Sequence, residues 1–319
     1  MNRWLVALLL AAIACSLSVG SVPLAWRDVL AGNAVFFTIR LPRVVLGALI
    51  GSGLGVAGAA MQGIFRNPLV DPGLLGISSG AGLGAAAAIV LGVKLGLGNV
   101  SWLLPIFAFG AASLAMQLVI RIARSDGRTG TATLLLAGVA VNAVASAQIG
   151  LLTFLASDAQ ARTLTFWTLG SLGAATWPAV GITAAFMVAP IALLLRSGRV
   201  LNVLCLGESE AASLGVAPER VKRRVLLLVT LAVGASVAVA GVLAFVGLVV
   251  PHVVRMLVGA DHRRLLPASA LLGAALLTLA DALARTVVSP AELPLGIVTA
   301  SVGAPFFLLL LVRERRRLA

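Results

Sequence analysis

The sequence has no tyrosine, two cysteines, two histidines and eleven acidic residues among 319. Two cysteines cannot build a disulfide framework. Cys15, in an apolar run, and Cys205, beside a polar loop, read as small hydrophobes. Two histidines leave no room for a multi-histidine metal site in one chain, and His252, in "GLVVPHVVR", follows a proline and reads as a packing residue. H-E-x-x-H, C-x-x-C and Walker A patterns are missing. The two lysines, Lys94 in "GVKLG" and Lys222 in "VKRR", lack the Gly-rich loop and following Ser/Thr that cradle phosphates. The chain therefore carries no P-loop of its own for ATP hydrolysis, and no catalytic cluster of a membrane-embedded enzyme is visible.

Charge is scarce as well. Charged residues make up 11% of the chain, against roughly 25% in soluble domains. Apolar residues make up 60%, and mean hydropathy is +1.09. The apolar runs are continuous over about 18–25 residues, which predicts membrane-spanning helices and not the short alternating strands of a β-barrel. Ten spans are expected near 4–20, 42–63, 78–97, 101–122, 133–156, 177–195, 225–244, 246–258, 265–286 and 294–312. The eighth is short for a full crossing and reads as a half-span covered by its neighbours. The basic, apolar N-terminus could pass for a signal peptide; with spans all along the chain it reads as an uncleaved first helix.

The net charge is +13, yet the basic residues sit at the ends of apolar runs, where topology signals belong and nucleic-acid contacts do not. With a cytoplasmic N-terminus and ten alternating spans, 18 of the 24 lysines and arginines fall inside and six outside. Both termini are then cytoplasmic. Three of the outer six, Arg40, Arg43 and Arg285, stand at the outer mouth against this trend. They admit two readings: headgroup contact or pairing with Asp281, and docking of an acidic partner. Asp281 is the one carboxylate well inside a span, whereas ion-coupled carriers place several ionisable groups near the midplane. An ion-coupled secondary transporter is kept as the alternative of a different class.

Two polar stretches interrupt the pattern. "RSGRVLNVLCLGESEAASLGVAPERVKRR", residues 196–224, predicts two short amphipathic helices on the cytoplasmic face, with a stop at Gly215 and a restart at Pro218. Its Glu208 and Glu210 suit a protein partner better than lipid. "MQGIFRNPLVDPGLLG", residues 61–76, carries Pro68 and Pro72, which stop helices, and Gly73 and Gly76, which let the backbone turn. It is expected as a polar loop at the cytoplasmic end of the second span. Before it, Gly47, Gly51, Gly55 and Gly58 recur every three or four residues, a spacing that lets helix backbones approach closely.

Six segments carry a resemblance: "RLPRVVLGALIGSGLGVAGAAMQGIFRNPLVDPGLLGISSGAG", "LLLAGVAVN", "FWTLGSL", "LGESEAASLGV", "FVGLVVPHVVRMLVGADHRRLLPASALLGA" and "AELPLGIVTASVGAPFFLLLL". Together they resemble the FecCD permease family, the membrane subunits of binding-protein-dependent ABC importers for ferric siderophores, haem and cobalamin. The likeness runs from about Arg40 to Arg313. It implies an all-α, single transmembrane domain over 1–319, with ten helices in a compact type II importer bundle in the bacterial inner membrane. It also implies a homodimer, two copies of a separate ATPase that uses ATP and Mg, and a periplasmic substrate-binding protein. The chain itself is expected to bind no cofactor or metal.

Residue by residue, the resemblance implies ATPase coupling at Glu208, Glu210, Ala211, Ala212 and Gly215. This sequence places two residues, Ser213 and Leu214, before that glycine, where the general importer motif has three. It implies binding-protein docking at Arg40, Arg43 and Arg285, and a cytoplasmic gate at Asn67, Leu69, Thr131 and Ala132. Arg162, Phe166 and Trp167 could meet a porphyrin carboxylate and its flat face, or form a structural amphipathic helix. With no tyrosine, the path offers no phenolate to iron. "TLTFWTLGSL" is closest to haem-type members, so haem ranks first, ferric siderophore second and cobalamin third.

Overall fold

The computed structural model describes residues 3–20, 27, 32–94, 96, 103–125 and 127–318. Ten apolar helices dominate: α1 (Arg3–Ser18), α2 (Leu41–Phe65), α3 (Ile77–Lys94), α4 (Leu103–Ala123), α5 (Thr131–Phe154), and, after the short α6 (Asp158–Thr168), α7 (Trp177–Arg196). Two short helices follow, α8 (Gly198–Leu206) and α9 (Glu208–Ser213), then α10 (Pro218–Ala240), α11 (Val246–Val258), α12 (His262–Thr286) and α13 (Leu295–Leu318). Among the described residues, six of the apolar helices are long enough to cross a membrane, with a π-helical turn (Val35–Arg40) extending α2. The others are α1, α3, α11 and α13, whose apolar stretches are shorter. Every predicted span has its helix. The ends of the third and fourth, at residues 95, 97, 101 and 102, lie outside the described residues.

α2 is the axis of the bundle, buried over most of its length. Its glycines explain why. A Cβ at Gly51 would overlap the Gly273 carbonyl of α12, one at Gly55 the Ser269 carbonyl, and one at Gly58 the Gly247 carbonyl of α11. Backbone therefore meets backbone, and dispersion and packing hold helices that gain nothing from the hydrophobic effect within lipid. Other helices stay open: α5 exposes Leu136, Val139, Val144, Leu151 and Phe154.

α11 is the predicted half-span, thirteen residues long. Phe245 precedes it at φ +66°, an unusual value for a residue with a side chain. Besides the 3-10 helix described below, two elements were not foreseen in the sequence. One is the π-helical turn. The other is a two-residue β-hairpin, Arg124–Ser125 against Arg128–Thr129, between α4 and α5.

The 61–76 stretch differs from the expected surface loop. Met61, Gln62, Gly63, Ile64 and Phe65 are the buried last turn of α2, which ends at Arg66 with φ +50°. Gln62 accepts from Arg255 at 2.9 Å. Arg66, Asn67, Pro68 and Leu74 are exposed; Val70, Pro72 and Leu75 are buried. The 3-10 helix Pro72–Leu75, capped by Asp71 through Gly73 N–H at 2.7 Å, reaches inward along α5. A Cβ at Gly138 would overlap the Leu74 carbonyl, and Asn142 Nδ2 donates to the Gly73 and Leu74 carbonyls at 3.4 and 3.2 Å. Gly138 lies seven residues into α5 and Asn142 eleven, which puts the segment about 10–16 Å along that helix. Irregular backbone is tolerated at such depth because neighbouring protein covers it and satisfies its carbonyls.

Candidate functional site

At the end of the bundle where α1 finishes, three arginines converge. Arg40 Nη1 donates to the Leu17 and Ser18 carbonyls at 2.9 and 3.2 Å. Arg285 donates to the Ser16 carbonyl (3.1 Å), the Ser16 hydroxyl (2.8 Å) and the Val19 carbonyl (3.3 Å). The two guanidinium groups thus satisfy the carbonyls left unpaired at the C-terminus of α1, and their charge suits the negative end of its dipole. Arg43 lies between two carboxylates. Its Nε is 3.0 Å from Asp281 Oδ1, and its Nη1 and Nη2 each lie 2.9 Å from a Glu292 oxygen. Asp281 also pairs with Arg285 at 3.1 Å.

Two readings were open for these arginines, and the expected pairing with Asp281 is present at Arg43 and Arg285. Arg40, Arg43 and Arg285 are 4%, 6% and 6% exposed. A guanidinium removed from water must be paired, and this chain's own acceptors supply the pairing. The cluster shows one group to the outside: the Glu292 side chain, 44% exposed. Sequence reasoning missed Glu292, which lies on the α12–α13 connection.

At the same end α6 packs on α3. Ser157 and Gln160 form a capping box at its N-terminus, and Gln160 Nε2 donates to the Ile89 carbonyl at 3.1 Å. Arg162 and Phe166, one turn apart and so on one face, are both exposed, whereas Trp167 is half-buried against the core. The structure therefore separates the three predicted path residues into an exposed pair and a packing residue.

The hairpin end carries the predicted gate and coupling residues. Asn67 is exposed, with Oδ1 accepting from Leu69 N–H at 2.9 Å in an Asx-type turn, and Leu69 is half-buried. Thr131 and Ala132 open α5, half-buried and exposed. α8 buries Leu201 and Leu204 and leaves Leu206 exposed. Asn202 ties it to the start of α12, through Asp261 at 2.6 Å and His262 N–H at 2.8 Å. The Asn202 bond, with Arg263 N–H, holds the Asp261 carboxyl below its usual range.

α9 turns on two glycines. Gly207 enters at φ +140°, and Gly215 closes the helix at φ +80° with Gly215 N–H on Ala212 and Val216 N–H on Ala211, a glycine C-terminal stop. Ala211 is fully buried, while Ala212, Ser213 and Leu214 are exposed. Glu210 is exposed, and its own backbone N–H and the Ser209 hydroxyl hold its carboxyl below the ordinary range. Glu208 does something different: it pairs at 3.0 Å with Lys222, which is buried. The five predicted coupling residues thus lie on α9 and its glycine stop, with Glu210, Ala212 and Gly215 exposed.

A bundle of apolar helices, with an embedded irregular segment and two short polar helices at one end, is the architecture of a polytopic membrane protein. Residues 8–313 match the FecCD transport family. The hemin transport system permease protein HmuU of Yersinia pestis is 46% identical over 285 residues, 89% of this chain and 84% of that protein. The vitamin B12 import system permease protein BtuC of Yersinia enterocolitica is 40% identical over 98% of this chain and 94% of its own length. A solved metal-chelate type ABC transporter in an inward-facing conformation superposes with a TM-score of 0.87 at 33% identity, covering 98% of each chain. The chain belongs to the FecCD transport family and is a permease of an ABC importer. That membership sets aside the ion-coupled alternative.

Proposed function

We propose that the chain is the membrane subunit of a haem importer of the bacterial inner membrane. It works as a homodimer with two ATPase subunits on the cytoplasmic side and a substrate-binding protein outside. The carrying observation for the ligand is the 46% identity to a hemin permease across most of both chains. The exposed Arg162 and Phe166 on one face of α6 add a cation and an aromatic face suited to a porphyrin carboxylate and ring. Ferric siderophore and cobalamin are the competing ligands, the second favoured by the 40% identity to a B12 permease.

In this reading the hairpin end faces the cytoplasm, with both termini. ATP-driven closure of the ATPase pair displaces α8 and α9, and the bundle switches its opening between the two faces. Asn67, Leu69, Thr131 and Ala132 line the cytoplasmic exit, and the open apolar face of α5 meets the second copy. Docking outside takes place around Glu292: an acidic side chain of the binding protein exchanges with it on Arg43.

The test is ligand-stimulated ATP hydrolysis by the reconstituted complex with its binding protein, offered haem, a ferric siderophore or cobalamin in turn. Stimulation by haem alone, weakened by R162A/F166A, is expected. Stimulation by cobalamin or siderophore and not by haem overturns the ligand assignment.

A further inference from the structure

Lys222 is 1% exposed, although it lies only five residues into α10. Its ammonium has three N–H donors, and three elements answer them. The Thr129 carbonyl of the hairpin accepts at 2.6 Å, the Glu208 carboxylate at the start of α9 lies at 3.0 Å, and Glu219 pairs from the first turn of α10. Glu219 in turn faces Thr129, itself buried. Two residues beyond Thr129 stands Thr131, where α5 begins.

We propose that Lys222 is a positioning residue that latches the ATPase-facing helix α9 to the hairpin, so that displacement of α9 is delivered to Thr131 and Ala132. The proposal rests on the importer reading above and adds the route of its coupling. The physical reason is the asymmetry of a buried ion pair. Separating α9 from the hairpin would strand the ammonium in a site shielded from water, which is far costlier than moving the three elements together. The hairpin hugs the end of α4, since Gly130 N–H donates to the Ala123 carbonyl at 3.4 Å, and Gly130 C=O accepts the first α5 bond from Leu134 at 2.9 Å. A shift at Thr129 therefore acts on both helices.

The experiment uses the full complex in liposomes, with a cysteine at Thr131 (T131C) labelled from the cytoplasmic side by a membrane-impermeant maleimide, with and without nucleotide. With the Lys222→Met change added, the ATPase is expected to co-purify still, while the nucleotide-dependent change in labelling falls by about tenfold, the scale of a typical coupling energy. K222M/E219Q, which removes one of the two unbalanced carboxylates, carries the same expectation should K222M fail to assemble. Undiminished nucleotide response in either variant overturns the latch. Loss of ATPase association in both overturns it too, because Lys222 would then build the docking face and relay nothing. A parent complex whose labelling ignores nucleotide contradicts the gate assignment itself and not the latch.

Discussion

Arg43 and Glu292 meet as a two-pronged pair, each terminal guanidinium nitrogen 2.9 Å from one carboxylate oxygen, while Arg43 Nε holds Asp281 at 3.0 Å. The two acids are not equivalent. Asp281 is 2% exposed and Glu292 is 44% exposed. D281N leaves Arg43 and Arg285 short of a buried countercharge and is expected to cost about 3–5 kcal/mol, seen as a large fall in unfolding temperature in detergent. E292Q acts at a half-open pair and is expected to cost at most about 1 kcal/mol. Equal losses would show that the cluster is not the internal brace described above.

The contact between α2 and α12 depends on the absence of side chains. Gly51→Ala drives a methyl into the Gly273 carbonyl, and is expected to destabilise by about 1–3 kcal/mol. Gly110→Ala on α4 meets nothing within 4 Å and is expected to be neutral or stabilising by up to about 1 kcal/mol. Thermal unfolding of the two variants side by side checks both signs.

The 70–76 segment is held at depth by Asn142. Asn142→Leu removes the donor to the Gly73 and Leu74 carbonyls, with an expected cost of about 1–3 kcal/mol. The segment should loosen first. A cysteine at position 67 would then label from the hairpin side without nucleotide, whereas the parent would label only in some nucleotide states.

Much of this could be read from the residues. Ten apolar runs predicted ten helices because membrane spans leave a long, one-sided signal. Gly215 and Pro218 marked the end of α9 and the start of α10 because each has a local backbone preference. The depth of 70–76 was not legible. Its polarity and prolines looked like a surface loop, and only the tertiary partner Asn142, 69 residues from Gly73, reveals otherwise. Pairing with Asp281 was legible from its place four residues before Arg285, whereas the α1 carbonyls that hold Arg40 and the Glu292 that holds Arg43 were not, because sequence position does not give the direction of a side chain. Lys222 left a faint trace, a lone lysine three residues after Glu219, but its third partner lies on a hairpin too short to predict.

The exposed surface around α9, proposed above to meet the ATPase, is apolar as well as acidic. Leu206 and Leu214, 65% and 63% exposed, flank α9 on either side of Glu210. L206E/L214E is expected to abolish co-purification of the ATPase while changing unfolding temperature little, since exposed positions typically move stability by within about 0.5 kcal/mol. Retained stoichiometric association would remove α9 from the interface.

This chain is expected to move its ligand only as part of an ATP-driven assembly. Haem uptake into proteoliposomes tests it directly, comparing this chain alone with the chain plus its ATPase, binding protein, ATP and Mg. Uptake is expected only in the complete mixture, and none when ATP is replaced by a non-hydrolysable analogue. ATP-independent uptake by the chain alone would contradict it.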